Sequence, residues 1–255
     1  MHMKTVAGHI RRIANARRYG IRFVRRRTFA LPTHIRIGNR RVAISCPAED
    51  GVRTDFLTCF LNDEYGLRRV RGPIRTVLDI GSNVGFFAMS ARAHFPDAVV
   101  HAYEPNPRIL PFLRNNAAEC RVDVFADAVG DKDGMVSLVD SGDSNQAQCS
   151  MTATTGDDSA VLVPLSTAVH RLGGSVDIAK IDAEGAEWDM FRDARAWRGI
   201  RQVRMEYHLW GRRTYAELLA CLNALDFEIE HHAASGEWGT VWARRRKPQS
   251  GLDRI

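Results

Sequence analysis

No apolar run in this 255-residue chain approaches the ~18–20 residues that a membrane-spanning helix needs. The first residues lack the apolar stretch of a secretory leader, so none is expected. Cysteine is scarce: Cys46, Cys59, Cys120, Cys149 and Cys221 are odd in number and scattered. None forms a C-x-x-C or zinc-type pair, which argues against a disulfide framework and for a reducing, cytoplasmic setting. No internal repeat and no heptad pattern is visible. One segment has no acid at all. Residues 1–41 hold twelve Lys/Arg and no Asp or Glu, whereas the remainder holds 24 basic and 30 acidic residues. The net charge of +6 therefore belongs to an N-terminal arm and not to the body of the protein.

Such an arm suits a polyanion: nucleic acid, an anionic membrane surface or an acidic glycolipid. It is equally consistent with a solvated extension that keeps the chain soluble. A weak apolar stripe (Ile10, Ile13, Ile21, Phe23, Val24) allows it to lie at an interface, peripheral to the inner membrane surface. The Arg244-Arg245-Arg246-Lys247 run before Pro248 reads as a solvated tail.

The length allows one sizeable core and one or two domains. Residues 1–70 read as a basic extension, 71–246 as the main domain and 247–255 as a tail. His34–Ile37 and Arg41–Ser45 are predicted to form a hairpin across Gly38-Asn39-Arg40. A helix is expected over 54–66 with Thr54 as its cap. From Val77 onward strands and helices alternate. The predicted strands are Val77–Ile80, Ala98–Tyr103, Arg121–Phe125, Val176–Ile181 and Gln202–Glu206; the helices are 84–94, 107–118, 185–191 and 214–224. This is the pattern of a mostly parallel α/β sheet with helices on both faces. Phe227–His232 and Thr240–Ala243 should close it as a hairpin, making one strand antiparallel. Residues 140–160, rich in Ser, Thr, Asp, Gly and Gln, are expected to be a long loop, a candidate lid.

Residues 77–85, Val-Leu-Asp-Ile-Gly-Ser-Asn-Val-Gly, carry the most information. They read as a buried strand, a glycine turn and a helix start, which brings main-chain N–H groups to a ligand. Glu104 ends the next apolar run, 23 residues after Gly81. That is close to the roughly 20-residue spacing at which an acid meets ribose hydroxyls. A dinucleotide fingerprint is missing, because Asn83 and Phe86 stand where its second and third glycines belong. Asp79 would repel a pyrophosphate but could hold an ammonium group. These features favour a cationic nucleoside without phosphates, and S-adenosylmethionine is such a molecule. The strand-end rule gathers Asp79, Glu104, Asp127, Asp182 and Glu206 along one rim.

With these residues in view the chain resembles the FkbM family of class I S-adenosylmethionine-dependent methyltransferases, over about 74–232. The resemblance lies in VLDIGSNVGFFA (77–88), AYEPNP (102–107), DAVGD (127–131), KIDAEGAEWDMF (180–191) and RMEYH (204–208). The I-D-x-E-G-A-E string is the most specific of these. Residues 1–70 carry no such signature apart from an Asp63-Glu64-Tyr65 step. The resemblance implies a Rossmann-like, seven-stranded class I fold with one antiparallel strand. It implies that Asp79, Gly81 and Gly85, with Ser82 and Asn83 of the same turn, line the methionine end of the cofactor. Glu104 would hold the ribose, shaped by Pro105 and Asn106. Asp127 and Ala128 would border the adenine. Asp182 would lie near the sulfonium, and Glu184 and Glu187 could orient substrate. Thr167-Ala168-Val169 lacks the acid of the family's T-L-D step, which leaves that connection open.

Methyl transfer to a hydroxyl requires alignment, desolvation and removal of a proton. The candidate bases are Asp182, Glu206 and His208, the last for its intrinsic pKa. A divalent cation on Asp182 and a neighbouring carboxylate could acidify the hydroxyl instead. No clear metal set stands in the sequence, so general-base catalysis without metal is preferred. The N-P-P-Y-type motif of nucleic-acid amino-methyltransferases is absent after the fourth strand. The expected acceptor is a hydroxyl on a sugar, glycan, glycolipid or secondary metabolite, with S-adenosylhomocysteine as coproduct. The competing readings are an RNA methyltransferase gripping phosphates through the arm, an NAD-type oxidoreductase and a non-catalytic cofactor-binding scaffold. Oligomeric state is not encoded legibly.

Overall fold

The computed structural model describes residues 2–21, 30–139, 148–150 and 159–247. Its frame is a seven-stranded sheet. The strands are β3 (Thr76–Ile80), β4 (Val99–Tyr103), β5 (Asp123–Phe125), β10 (Ile178–Ile181), β11 (Gln202–His208), β12 (Phe227–Ser235) and β13 (Trp238–Arg245). Their spatial order is β12-β13-β11-β10-β3-β4-β5. β5, β4, β3, β10 and β11 run parallel. β13 is antiparallel to both β11 and β12. The central strands are apolar runs (TVLDI, IAKI) because helices cover both faces.

Chain order reverses direction at β3. β4 lies on one side of it and β10 on the other. Crossover loops therefore diverge there and leave a crevice at the C-terminal strand ends.

One face packs against α3 (Phe86–His94), α4 (Leu110–Cys120) and the N-terminal elements. The other packs against α5 (Leu165–Arg171), α6 (Glu187–Met190), α7 (Ala194–Trp197) and α8 (Tyr215–Ala224). α8 begins with a capping box between Thr214 and Glu217.

The described buried apolar residues of the N-terminal 70 join the core of the main domain. α1 (His2–Arg18) buries Ala16 and, just past its end, Tyr19; Tyr19 meets Phe60 edge-on at 4.9 Å. Both join the same cluster as Phe86 and Met89. The hairpin of β1 (His34–Ile37) and β2 (Arg40–Ala43) is present with a two-residue turn, Ile37 pairing Arg40.

The structure departs from these expectations at four places. The helix predicted over 54–66 starts earlier, as α2 (Asp50–Phe56), and continues as a π-helical turn, Leu57–Asn62. Thr54 is interior, and its hydroxyl donates to the Asp50 carbonyl at 3.3 Å. A second sheet was not anticipated: β6 (Ala128–Gly130), β7 (Gly134–Val139), β8 (Gln148–Ser150) and β9 (Ser159–Pro164), in the order β6-β9-β7-β8. The 140–160 loop expectation is replaced at 148–150 and 159–160 by strand; its remainder lies outside the described residues. α7 was also unforeseen. Among the described residues no helix is long and apolar enough to cross a membrane.

Candidate active site

A cavity of about 660 Å3 opens at the C-terminal ends of β3, β4, β10 and β11. Its floor is the glycine turn after β3. Gly81 has φ +69°, and a Cβ there would lie 1.7 Å from the Asp182 carbonyl oxygen. Any side chain at 81 would force β3 and β10 apart. The Gly81 and Ser82 amides both donate to the Tyr103 carbonyl at 3.0 Å, tying the turn to β4.

Glu104 completes that tie. Its Oε2 accepts the Asn83 amide at 2.8 Å and its Oε1 accepts the Asn106 amide at 2.9 Å. Burial raises its pKa, and the two N–H donors only partly oppose this. Glu104, Pro105, Ser82 and Asn83 all line the cavity. The Asn83 amide group donates to Asp55 at 2.9 Å, so α2 braces the same turn.

Three residues assigned to the cofactor do not line the cavity. Gly85 caps α3 at φ +87° with a Leu113 methyl carbon 2.7 Å from where its Cβ would be; it serves the helix start. Asn106 is buried and accepts the Arg108 amide at 3.0 Å. Asp79 is fully buried inside β3, with the Lys180 ammonium 3.5 Å away. The ammonium that Asp79 meets is thus the protein's own. Burial raises the Asp79 pKa, and Lys180 counteracts this. Lys180 lines the cavity, donates to the carbonyls of Ile80 and Gly81, and stands 3.3 Å from Asp182 Oδ2. Burial disfavours its charge, but Asp182 and Asp79 outweigh that and raise its pKa.

At one end of the cavity Asp127 is bound by Arg171 at 2.6 Å, beside Ala128. Arg171 lies over the Phe125 ring at 4.8 Å, and Phe125 stacks on Tyr103.

At the other end stand Asp182, Glu184 and Glu206, with Trp210 and Trp238 exposed by 37% and 43%. Burial, then the charge of Asp182, raises Glu184 to about 8 and also raises Glu206. His208 and Glu187 are set behind them. Glu187 is fully buried and accepts the amides of Gly185 at 2.8 Å and His208 at 2.7 Å. It shapes the loop and is not among the cavity's lining residues. His208 Nδ1 lies 3.2 Å from Glu187, and its Nε2 lies 3.4 Å from Glu184. Burial alone would lower its pKa; Glu187 and Glu184 reverse this and lift it to about 9. The expected neutral base is therefore an imidazolium near pH 7, off the cavity surface, that offsets carboxylate charge.

Sequence reasoning missed Lys180, Asp55, Tyr65, Trp210 and Trp238. Lys180 and Tyr65 lay within quoted motifs, whereas the tryptophans had no periodic signal. Among the described residues no three His, Cys, Asp or Glu side chains group so as to hold a metal ion.

The sheet order, its single reversed strand and the crevice at the switch point define a Rossmann-like class I methyltransferase fold. The profile described as Methyltransferase FkbM domain matches residues 79–231, and the chain belongs to that family. One curated relative is the 31-O-demethyl-FK506 methyltransferase FkbM of Streptomyces tacrolimicus. It is 38% identical over 79 residues, which span 30% of this chain and 29% of that protein. Similar solved structures include a ribosomal protein L11 methylase from Lactobacillus delbrueckii subsp. bulgaricus, with TM-score 0.46 and 15% identity over 80% of this chain and 82% of that one. Another is fibrillarin of Aeropyrum pernix in complex with S-adenosyl-L-methionine, with TM-score 0.44 and 13% identity over 68% of this chain and 67% of that one.

Proposed function

We propose that the cleft binds S-adenosylmethionine and that the protein transfers its methyl group to a hydroxyl oxygen of a sugar, glycan, glycolipid or secondary metabolite. The observation that carries this is Glu104: a buried carboxylate joined to the glycine turn by the Asn83 amide and facing the cavity. Its remaining acceptor capacity suits two vicinal hydroxyls. The acidic lining of the cavity supports a cationic ligand, whose charge would itself favour ionisation of the raised carboxyls of Glu184 and Glu206. Asp55, Glu104, Asp182, Glu184 and Glu206 line the cavity, with Lys180 as the buried cation among them. A pyrophosphate would face Asp55 and Glu104 at the turn, where Asn83 replaces the fingerprint glycine. The volume is that of an ordinary small-molecule site.

Gly81, Ser82 and Asn83 would hold the methionine end, Glu104 and Pro105 the ribose, and Asp127 and Ala128 the adenine. When bound, the cofactor supplies an electrophilic methyl carbon on a sulfonium and departs as S-adenosylhomocysteine. In its ionised form Glu206 takes the acceptor's hydroxyl proton; burial raises its pKa to about 9, so the rate should climb as pH rises toward that value. Asp182 aligns the reacting groups. Trp210 and Trp238 offer flat apolar faces beside carboxylate acceptors, a combination that suits a polyhydroxylated ring. The Streptomyces relative is named as a 31-O-demethyl-FK506 methyltransferase, which is consistent with an oxygen acceptor.

The test is incubation with cofactor labelled in its methyl group and fractionated cell glycans, lipids, small metabolites and RNA. Label is expected in a glycan, glycolipid or metabolite, lost with Glu206→Gln. Label confined to RNA contradicts the acceptor assignment. Binding of S-adenosylhomocysteine measured alongside keeps the donor assignment separate.

A further inference from the structure

We infer that Tyr65, which lies outside the family-matched segment, is a positioning residue for methyl transfer: its phenol fixes Asp182 in the cavity. This rests on the proposed function, because Asp182 is taken to face the cofactor's cationic end. The Tyr65 hydroxyl donates to Asp182 Oδ2 at 3.3 Å. Lys180 Nζ, whose hydrogen bonds go to the Ile80 and Gly81 carbonyls, forms an ion pair with the same oxygen at 3.3 Å. The ion pair sets a distance but no direction, and the phenol supplies the directional hydrogen bond that orients the carboxylate. Asp182 needs that restraint. It follows the end of β10, and its neighbour Glu184 has φ +48°, so the loop leaves the sheet at once.

Tyr65 is itself held from both sides. Its ring meets Phe87 edge-on at 5.1 Å, and it is 5% exposed. Its loop is clamped to β13, where Trp242 Nε1 donates to the Glu64 carbonyl at 2.9 Å. Gly66, at φ +64°, sits so close to the Trp242 ring that a Cβ would come within 2.4 Å of it. Asp63 is also left-handed, at φ +54°. A turn bent at both ends and bolted to the indole holds the phenol where the hydrogen bond needs it. Burial, then the charge of Asp182, raises the Tyr65 pKa, so the group stays a phenol and remains a donor.

The test is calorimetric binding of two probes, S-adenosylhomocysteine and sinefungin. The latter is the donor analogue with an amine-bearing carbon in place of the methyl-bearing sulfonium. Their affinity ratio reports the anionic group at the transfer locus, and neither measurement needs the acceptor. Tyr65→Phe is expected to leave S-adenosylhomocysteine affinity and the melting temperature unchanged and to cut the preference for sinefungin about tenfold. In an Asp182→Asn background the same change should have no further effect. An unchanged ratio in Tyr65→Phe overturns the assignment, as does an effect that persists with Asp182→Asn. If the unmodified protein binds neither probe, the donor reading has failed and this inference falls with it. A lost ratio with retained S-adenosylhomocysteine binding supports the inference alone.

Discussion

His208 is enclosed by Glu187 and Glu184, at 3.2 and 3.4 Å, and this pairing sets the pH behaviour of the fold. Its pKa is raised from 6.5 to about 9 in the folded chain. The stability it contributes is complete below about 6.5 and is lost as pH rises through about 9. Glu184 adds to the same trend. Its pKa is raised from 4.5 to about 8, so above 4.5 the folded carboxyl keeps a proton that the unfolded chain has released. Folding is therefore progressively disfavoured as pH climbs toward 8. The melting temperature of the ligand-free protein should fall between pH 6.5 and 9.5, and Glu184→Gln should flatten that fall. Scanning calorimetry across the window measures it; a flat or rising melting temperature contradicts the cluster. At this scale the sequence was partly legible. The place of Glu104 beside the glycine turn was readable because it follows from a spacing along two adjacent parallel strands. The burial of Asp79 beside Lys180 was not readable, because Lys180 is brought close only by the pairing of β10 with β3. The charge of His208 was unreadable for a similar reason: it depends on Glu187 twenty-one residues away, at the head of a short helix.

The π-helical turn after α2 is the element that joins the basic arm to the site. Leu57, Thr58, Cys59 and Asn62 line the cavity, while Phe60 and Leu61 point into the core. Phe60 meets Tyr19, Phe56 and Phe86 with ring centroids 4.9, 4.8 and 5.7 Å away, so α1, α2 and α3 converge on it. Phe60→Ala should destabilise the protein by about 3–5 kcal/mol in denaturant unfolding. A loss below about 1 kcal/mol would mean that residues 1–70 do not share the core. The sequence showed the apolar residues of this element but placed its start four residues late. The apolar run starts at Phe56, so Thr54 looked like a cap, whereas the chain turns helical at Asp50. The second sheet was hidden for a different reason. Its strands β7 and β9 pair across a polar insertion, and such pairing leaves no local periodicity to read.

The whole molecule divides by charge and not by core. A basic arm is built onto an acidic body, and the two share one hydrophobic cluster. The parallel sheet was legible because each central strand is an apolar run bounded by turn residues. The antiparallel closure was legible because only a short segment separates β12 from β13. What the chain order could not convey is which distant side chains meet, and the cavity is built from such meetings: Asp55 with Asn83, Tyr65 with Asp182, Asp127 with Arg171. They converge on one claim, that the cleft is made for a cationic nucleoside held through its ribose. Titration calorimetry with S-adenosylhomocysteine and with NAD, on the unmodified protein and on Glu104→Ala, tests it most directly. Micromolar binding of S-adenosylhomocysteine, none of NAD, and a loss of about tenfold or more with Glu104→Ala are predicted. NAD binding in preference to S-adenosylhomocysteine, or an affinity indifferent to Glu104, would contradict the account.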